Sequence, residues 1–597
     1  MQDSAGHVMA GARVGARWTE PVPPALRLAM LGTAVVILAV VGIQKLDLTM
    51  RYWLTWTFFT EQDMPVMLTM AGLLVAVALV GLPAAIGRWS QHLLVSTRLT
   101  RAGLIAAAGV AVVIGTHVAS VDFPYSRDEI MALFDAAIIA DGRLLAPVPP
   151  EWRPYVPALQ PVFRLPVPDH AGWASTYLPG NAAIRGVLGL VMDRPFVNAT
   201  LLVIALVAML DIARRIWPNR PDAWLMALLL VVTSSQALFM SATPYAMSAH
   251  LAVNLVWLSL FLRNTVWSHA AAIALGFLGT GLHQLVFHPL FVAPFLLQLL
   301  FDRRIGLMLV YGVAYAAIGL FWILYWQFLL AGTGTAAPEA ASAMGMSYFL
   351  TRMSQLFANM YTSAWETMVQ NLFRFAAWQN PLTVVLIGPG LVAAFAAGGV
   401  LRALAIGFIA TILTMLLLLP YQDIGWGYRY AHGILASVAL VATAGWLSLL
   451  DRFTSVERRT AYGVAGLAMV GALVLIPIHG VMMRSMIEPY KIADRAMRAK
   501  PVDVVVIETV AIHYGDDLVR NDPKLRDRPI TLDIGELNED LLAKLCRRYD
   551  VAMFRGHEAV AVGVRPAPDP TKHQGWPLMS KLMATIEGPD CRAMKGQ

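Results

Sequence analysis

Charge is scarce in this 597-residue chain: Asp, Glu, Lys and Arg make up 14% of it, against about 25% in a soluble globular protein. With 58% hydrophobic residues, that scarcity excludes an ordinary soluble enzyme and a disordered chain. Cysteine is nearly absent, with two residues, which excludes a disulfide-dense secreted scaffold. Paired-cysteine zinc spacings and His-Glu-x-x-His are missing, so no metal site is expected on motif grounds. The phosphate-cradling Gly-x-x-x-x-Gly-Lys-Ser/Thr segment is missing too, which argues against an ATP-driven pump. A net charge of +7 is no footprint of nucleic acid, because arginines flanking membrane segments supply it.

What the chain has instead is long apolar runs. A run of about 20 residues crosses a hydrocarbon core of about 30 Å, so the chain reads as an α-helical polytopic membrane protein. Thirteen spans are expected, at 27–43, 66–86, 102–119, 196–212, 223–240, 246–262, 270–285, 289–300, 305–330, 382–400, 404–419, 431–450 and 461–482. The pair flanking His283 and His288 also reads as one kinked segment.

Arginine clusters set the orientation, since basic loops resist translocation. Arg13 and Arg17, Arg88 to Arg101, Arg214 to Arg220, Arg263, Arg303/Arg304, Arg402 and Arg452 to Arg459 fall on one side, and the alternate short loops hold few basic residues. The expected location is therefore the cytoplasmic (inner) membrane, with the N-terminus cytoplasmic and the C-terminus periplasmic or extracellular. The first apolar run lacks a cleavage site and reads as a retained span.

The chain divides accordingly into an N-terminal segment with three spans (1–120), a first large external loop (121–195), a bundle (196–484) with a second external loop near 333–381, and a C-terminal domain (485–597). In that domain a β-branched run at 502–507, a helical pattern at 539–548 and a short run at 551–554 predict a small α/β unit. Cys546 and Cys591 both lie there. An external compartment permits a bridge, but Cys546 occupies an apolar helical position and reads more simply as a buried thiol.

Charge at a membrane face is usually retained for function. The third span ends in Val121-Asp122-Phe123-Pro124-Tyr125-Ser126-Arg127-Asp128-Glu129. Pro124 breaks the helix and Ser126 caps a new one with acids in its first turn. Over 130–140 the spacing is amphipathic, with Asp128 and Asp135 on the polar face, so this helix should lie along the membrane surface. Its acids equally suit a helix N-terminus with no further role. A second short amphipathic stretch, 182–192, follows Tyr177-Leu178-Pro179-Gly180.

An Asp-Glu pair at the end of a span, an amphipathic helix with Asp141-Gly142-Arg143-Leu144, a Tyr-x-Pro-Gly turn, then many spans and an external tail resemble the GT-C membrane glycosyltransferases. The likeness is nearest to the branch with protein O-mannosyltransferases and lipid A aminoarabinose transferase, and covers roughly 121–482. It departs from the usual pattern in placing two spans before the one that carries the pair, and Asp193 is the nearest substitute for a second loop acid.

The resemblance implies transfer of a sugar from a polyprenyl-phosphate donor to a lipid, glycan or protein acceptor, among membrane lipids. It makes Asp128 the general base, with Glu129 beside it. A leaving phosphate needs a cation. Gly427-Tyr428-Arg429-Tyr430 is similar to a segment of the bacterial members and offers Arg429, flanked by Tyr428 and Tyr430. An interfacial arginine that snorkels to headgroups is the plainer alternative.

His283 and His288 read either as polar lining of the cavity or as bundle packing, and their spacing of five, with Pro289 directly after the second, poorly suits a metal. No cofactor is implied, with a divalent metal left open. Tyr177, Tyr245, Arg352 and Arg374 are further candidates for the cavity wall, and Asp169-His170 reads as solvated loop. The alternative function is a transporter or flippase of lipid-linked saccharides.

Overall fold

The computed structural model describes residues 19–46, 53–332, 354, 364–422 and 424–594. Among the described residues, eight helices are long and apolar enough to cross a membrane: Pro24–Lys45, Leu54–Val80, Arg98–Val118, Arg194–Ile216, Ile305–Ala331, Gly399–Leu418, Arg429–Leu450 and Ser455–Arg498. Two bent pairs, Pro221–Val232 with Ser235–Ser241 and Ala364–Ala377 with Pro381–Ala397, raise the number to ten if each is one span. Met247–Arg263, Val266–Thr280 and Phe287–Phe301 are apolar but shorter. At 1.5 Å per residue, helices of 15 and 17 residues reach about 22–26 Å, short of a full crossing. The thirteen expected runs each fall on one of these segments, of which eight, or ten with the bent pairs, are long enough to span among the described residues.

The bends have local causes. Ser234 caps Ser235–Ser241 by accepting from the Ala237 N–H. Asn380 accepts from the Leu382 N–H with Pro381 at the first helical position, and the chain turns by 115° there. Many apolar side chains on the bundle surface are exposed, among them Val313, Val392 and Val481, as expected of a surface solvated by lipid. The protein is multi-pass.

The first loop and the C-terminal domain lie on one side of the bundle and pack together. In the loop, helix Arg127–Ala140 starts at a capping box, Ser126 with Glu129. Strands β1 (Ala146–Pro147) and β2 (Gly172–Trp173) pair antiparallel. Helix Gly180–Leu188 crosses Arg127–Ala140 closely at Gly186, where a Cβ would meet the Ala136 carbonyl at 2.8 Å.

In the domain, β3 (Val504–Ile507) lies between β4 (Ile530–Asp533) and β5 (Val551–Phe554) in a parallel sheet. Helix Glu539–Arg548 forms the crossover from β4 to β5. Helix Ser455–Arg498, 44 residues long, carries the domain directly on its end, so the last span continues past 484.

Cys546 and Cys591 are joined in a disulfide, against the expectation of a free buried thiol. The apolar burial expected of Cys546 is present, but helix Trp576–Glu587 returns the chain so that Cys591 is buried against it.

The domain grips the loop through buried groups. Arg127 Nη1 donates to the Val519 carbonyl at 3.0 Å and faces Asp517, while Arg520 Nη2 donates to the Tyr125 carbonyl at 3.2 Å. The Trp173 indole N–H donates to the Pro523 carbonyl at 2.9 Å. These contacts fix the first turn of helix Arg127–Ala140 from outside.

Candidate active site

Asp128 sits in that first turn, and its two carboxylate oxygens are both engaged. Arg429 Nη1 donates to Oδ2 at 2.5 Å, and the Tyr177 hydroxyl donates to Oδ1. The Asp128 and Arg429 side chains are 12% and 7% exposed, so the pair is largely shielded from water. Burial alone would raise the Asp128 carboxyl, but the Arg429 guanidinium and the Tyr177 hydroxyl hold it below its ordinary value.

Each partner is delivered by a separate piece of backbone. Tyr177 arrives on the turn into helix Gly180–Leu188, where the Leu178, Gly180 and Asn181 N–H groups donate to the carbonyls of His283, Gly281 and Leu282. This stretch requires glycine at 180, since a Cβ there would meet the Gly281 carbonyl oxygen at 2.6 Å. The same pairing stacks the His283 ring on Tyr177, centroids 4.3 Å apart. Burial pulls the His283 imidazole down to about 4, so it is neutral.

Arg429 arrives on the turn before Leu435–Leu450. Its N–H donates to Gln422 Oε1 at 2.7 Å, and the Gln422 amide donates to the Gly427 carbonyl. Gln236 brackets the Tyr428 peptide from both sides. The guanidinium lies between the Tyr245 and Tyr430 rings, 5.3 and 5.2 Å from their centroids. Tyr245 joins the two halves, accepting from the Ser126 hydroxyl and donating to the Ile424 carbonyl.

Of the residues singled out from the sequence, Asp128, Arg429, Tyr177, Tyr245, Tyr430 and His283 come together. Glu129 is 1% exposed and turns back to accept from the Tyr125 and Ser126 N–H groups, so it holds the helix start and does not line the cavity. Burial raises its carboxyl to about 7 against those two N–H donors. His288 is bonded to Asn254 and Tyr315 inside the bundle, at 2.7 and 2.8 Å. Tyr428 is fully buried, with its hydroxyl toward Met368. Asp169 is exposed, and Arg352 lies outside the described residues.

Arg374 has a different task. It forms a buried ion pair with Asp63 at 3.1 Å and donates to the Gly425 carbonyl at 2.7 Å, bracing the turn that carries Arg429. Nothing in the sequence couples Asp63 to Arg374, because 311 positions separate them.

Asp135, two turns along from Asp128, opens into the same narrow cavity, which Ser175, Asn181, Tyr177, Tyr245 and His283 also line. Both Asp135 oxygens accept from Ser175, one from its N–H at 3.0 Å and the other from its hydroxyl. Burial raises this carboxyl to about 6, with Ser175 opposing. Among the described residues, no three His, Cys, Asp or Glu side chains gather in a group that could hold a metal. A carboxylate that lines a narrow cavity and a guanidinium paired with it can together take a proton and hold an anion.

No protein family and no curated protein matches the chain. Among solved structures it is similar to ArnT from Cupriavidus metallidurans bound to undecaprenyl phosphate, at 12% identity and TM-score 0.49, over 74% of this chain and 90% of that one. The apo state of the same protein gives 13% identity and TM-score 0.35 over the same shares. The oligosaccharyltransferase of Archaeoglobus fulgidus, in complex with Zn and sulfate, gives 11% identity and TM-score 0.34, over 67% of this chain and 55% of that one.

Proposed function

We propose that this protein is a membrane glycosyltransferase that moves one sugar from a polyprenyl-phosphate donor to an acceptor at the outer face of the cytoplasmic membrane. The observation that carries the reading is the contact between Asp128 and Arg429, brought together from 301 positions apart at the edge of the cavity that Asp128 lines. The scarcity of arginine in the short loops on that side supports its being the outer one.

Arg429, stacked between Tyr245 and Tyr430, holds the donor phosphate. The phosphate takes the guanidinium from Asp128, which leaves that carboxylate free to act as a base. The acceptor oxygen then bonds to the sugar C1 as its proton passes to Asp128. The C1–O bond to phosphate breaks, and the polyprenyl phosphate departs with the electron pair, its charge met by Arg429.

A flippase would call for ionisable groups along the depth of the bundle. The buried Asp63–Arg374 pair does not supply them, because it sits next to Glu61, which pairs with Arg565 of the C-terminal domain.

The test is turnover of undecaprenyl-phosphate-linked sugar by the purified protein in nanodiscs. Wild type should release undecaprenyl phosphate, and Asp128→Asn should do so at least about a hundredfold more slowly. Equal rates would remove Asp128 from catalysis, and movement of intact donor between leaflets without cleavage would favour the flippase.

A further inference from the structure

The cavity beside Asp128 has a second acid at its far end. Asp128 and Asp135 are seven residues apart on one helix, so they face the same way about 10 Å apart along its axis. Asp135 is 7% exposed. Ser175 takes one bond to each of its oxygens, which leaves each with a further lone pair for a ligand.

The walls between the two acids carry hydroxyls, an amide and rings from Ser175, Asn181, Tyr177, Tyr245 and His283, set among apolar side chains such as Met131 and Leu178. The Nδ1 of His283 is buried there without a hydrogen-bond partner. Among the described residues, no lysine or arginine lines this cavity. Arg429 reaches it only at Asp128, where its charge is met by that carboxylate or by the donor phosphate.

These groups suit hydroxyls and repel anions. The slot is narrow, with space for a hydroxyl-sized group and none for a whole ring. Resting on the reading of Asp128 as base, we infer that the slot is the acceptor subsite and that Asp135 determines its specificity. It accepts hydrogen bonds from the hydroxyls of a neutral, polyhydroxylated acceptor, a glycan without phosphate or carboxylate at the bound end. Asp135 would orient that end so that one hydroxyl meets Asp128, and an anionic group in the same slot would face an unpaired carboxylate.

The experiment uses the full chain in nanodiscs with undecaprenyl-phosphate-linked sugar as donor. The acceptors are hexyl glucoside, hexyl mannoside and hexyl galactoside, each beside its 6-phosphate. Transfer should go to the neutral set. Asp135→Asn, which keeps an acceptor for Ser175, should raise the KM for a neutral glycoside about tenfold or more without moving the KM for donor. Asp135→Glu should recover part of that loss.

Preference for the phosphorylated set, or an unchanged acceptor KM in Asp135→Asn, would overturn the inference. Donor left intact with every acceptor would count against the glycosyltransferase reading itself. In that event saturation-transfer NMR of hexyl glucoside, hexyl mannoside and hexyl galactoside decides separately. Weaker saturation in Asp135→Asn supports the subsite, and equal saturation overturns it.

Discussion

Arg429 and Asp128, 301 positions apart in the chain, meet at 2.5 Å with the guanidinium on one carboxylate oxygen, while the Tyr177 hydroxyl occupies the other. The base and the cation proposed for catalysis therefore neutralise one another until a substrate parts them. Asp128→Asn should abolish transfer and at the same time bind undecaprenyl phosphate more tightly, by about tenfold, since a charged competitor for Arg429 is gone. Native mass spectrometry of the two proteins with that lipid checks it; equal or weaker binding by the variant contradicts the competition.

Tyr177→Phe removes a donor that favours the ionised Asp128. The carboxyl pKa then rises, and a base that must be ionised loses activity at a higher pH. The acid limb of the kcat/KM profile should move up by about one pH unit, with the plateau less affected. An unmoved limb would show that Tyr177 does not tune the base.

Gly180→Ala places a methyl group against the Gly281 carbonyl and so pushes the 178–181 stretch off the segment that holds His283. Transfer should fall by at least about tenfold, because Tyr177 moves with it. Gly142→Ala is the comparison for a glycine in open space, although its φ of +73° carries a backbone cost of its own.

Glu129 contributes to stability with a definite sign. Its carboxyl is raised to about 7 in the fold from an ordinary 4.5, so the neutral form is the one the fold favours. That contribution is complete below the ordinary value and is lost as pH rises through about 7. Asp135, raised to about 6, acts in the same direction. The thermal midpoint should fall between about pH 4 and about pH 7, and Glu129→Gln, neutral throughout, should remove much of that fall.

The Cys546–Cys591 bridge closes a loop over a separation of 45 residues, worth about 4 kcal/mol by chain entropy alone. Cys591→Ser should lower the stability of the C-terminal domain by about 2–4 kcal/mol. Alkylation before and after reduction should add no label and then two labels to the wild-type chain, which carries two cysteines.

Much of this was legible without coordinates. Apolar runs located the membrane helices because lipid tolerates little else, and Ser126 with Glu129 marked the start of the acid-bearing helix. The spacing of Asp128 and Asp135 placed both on one face, although only the first was expected to act. Three things were not legible. Span counting could not see that Asn380 and Pro381 restart a helix at a sharp angle. Composition gave no sign that the 539–548 helix and the last turns of the chain converge on a thiol pair. In Tyr428-Arg429-Tyr430 the two tyrosines look equivalent, yet the turn sends Tyr430 beside the guanidinium and Tyr428 toward Met368.

Helix Ser455–Arg498, about 66 Å long, is more than twice the thickness of a hydrocarbon core, and it has no break where it leaves the bilayer. It therefore works as a mast: the domain that clasps the first turn of the acid helix is mounted at a set height over the bundle. A domain so mounted has no loop between it and the last span on which to swing aside. On the proposed reading, substrates would then reach the cavity sideways, the donor by gliding in the plane of the lipids and the acceptor by entering under the rim of the domain.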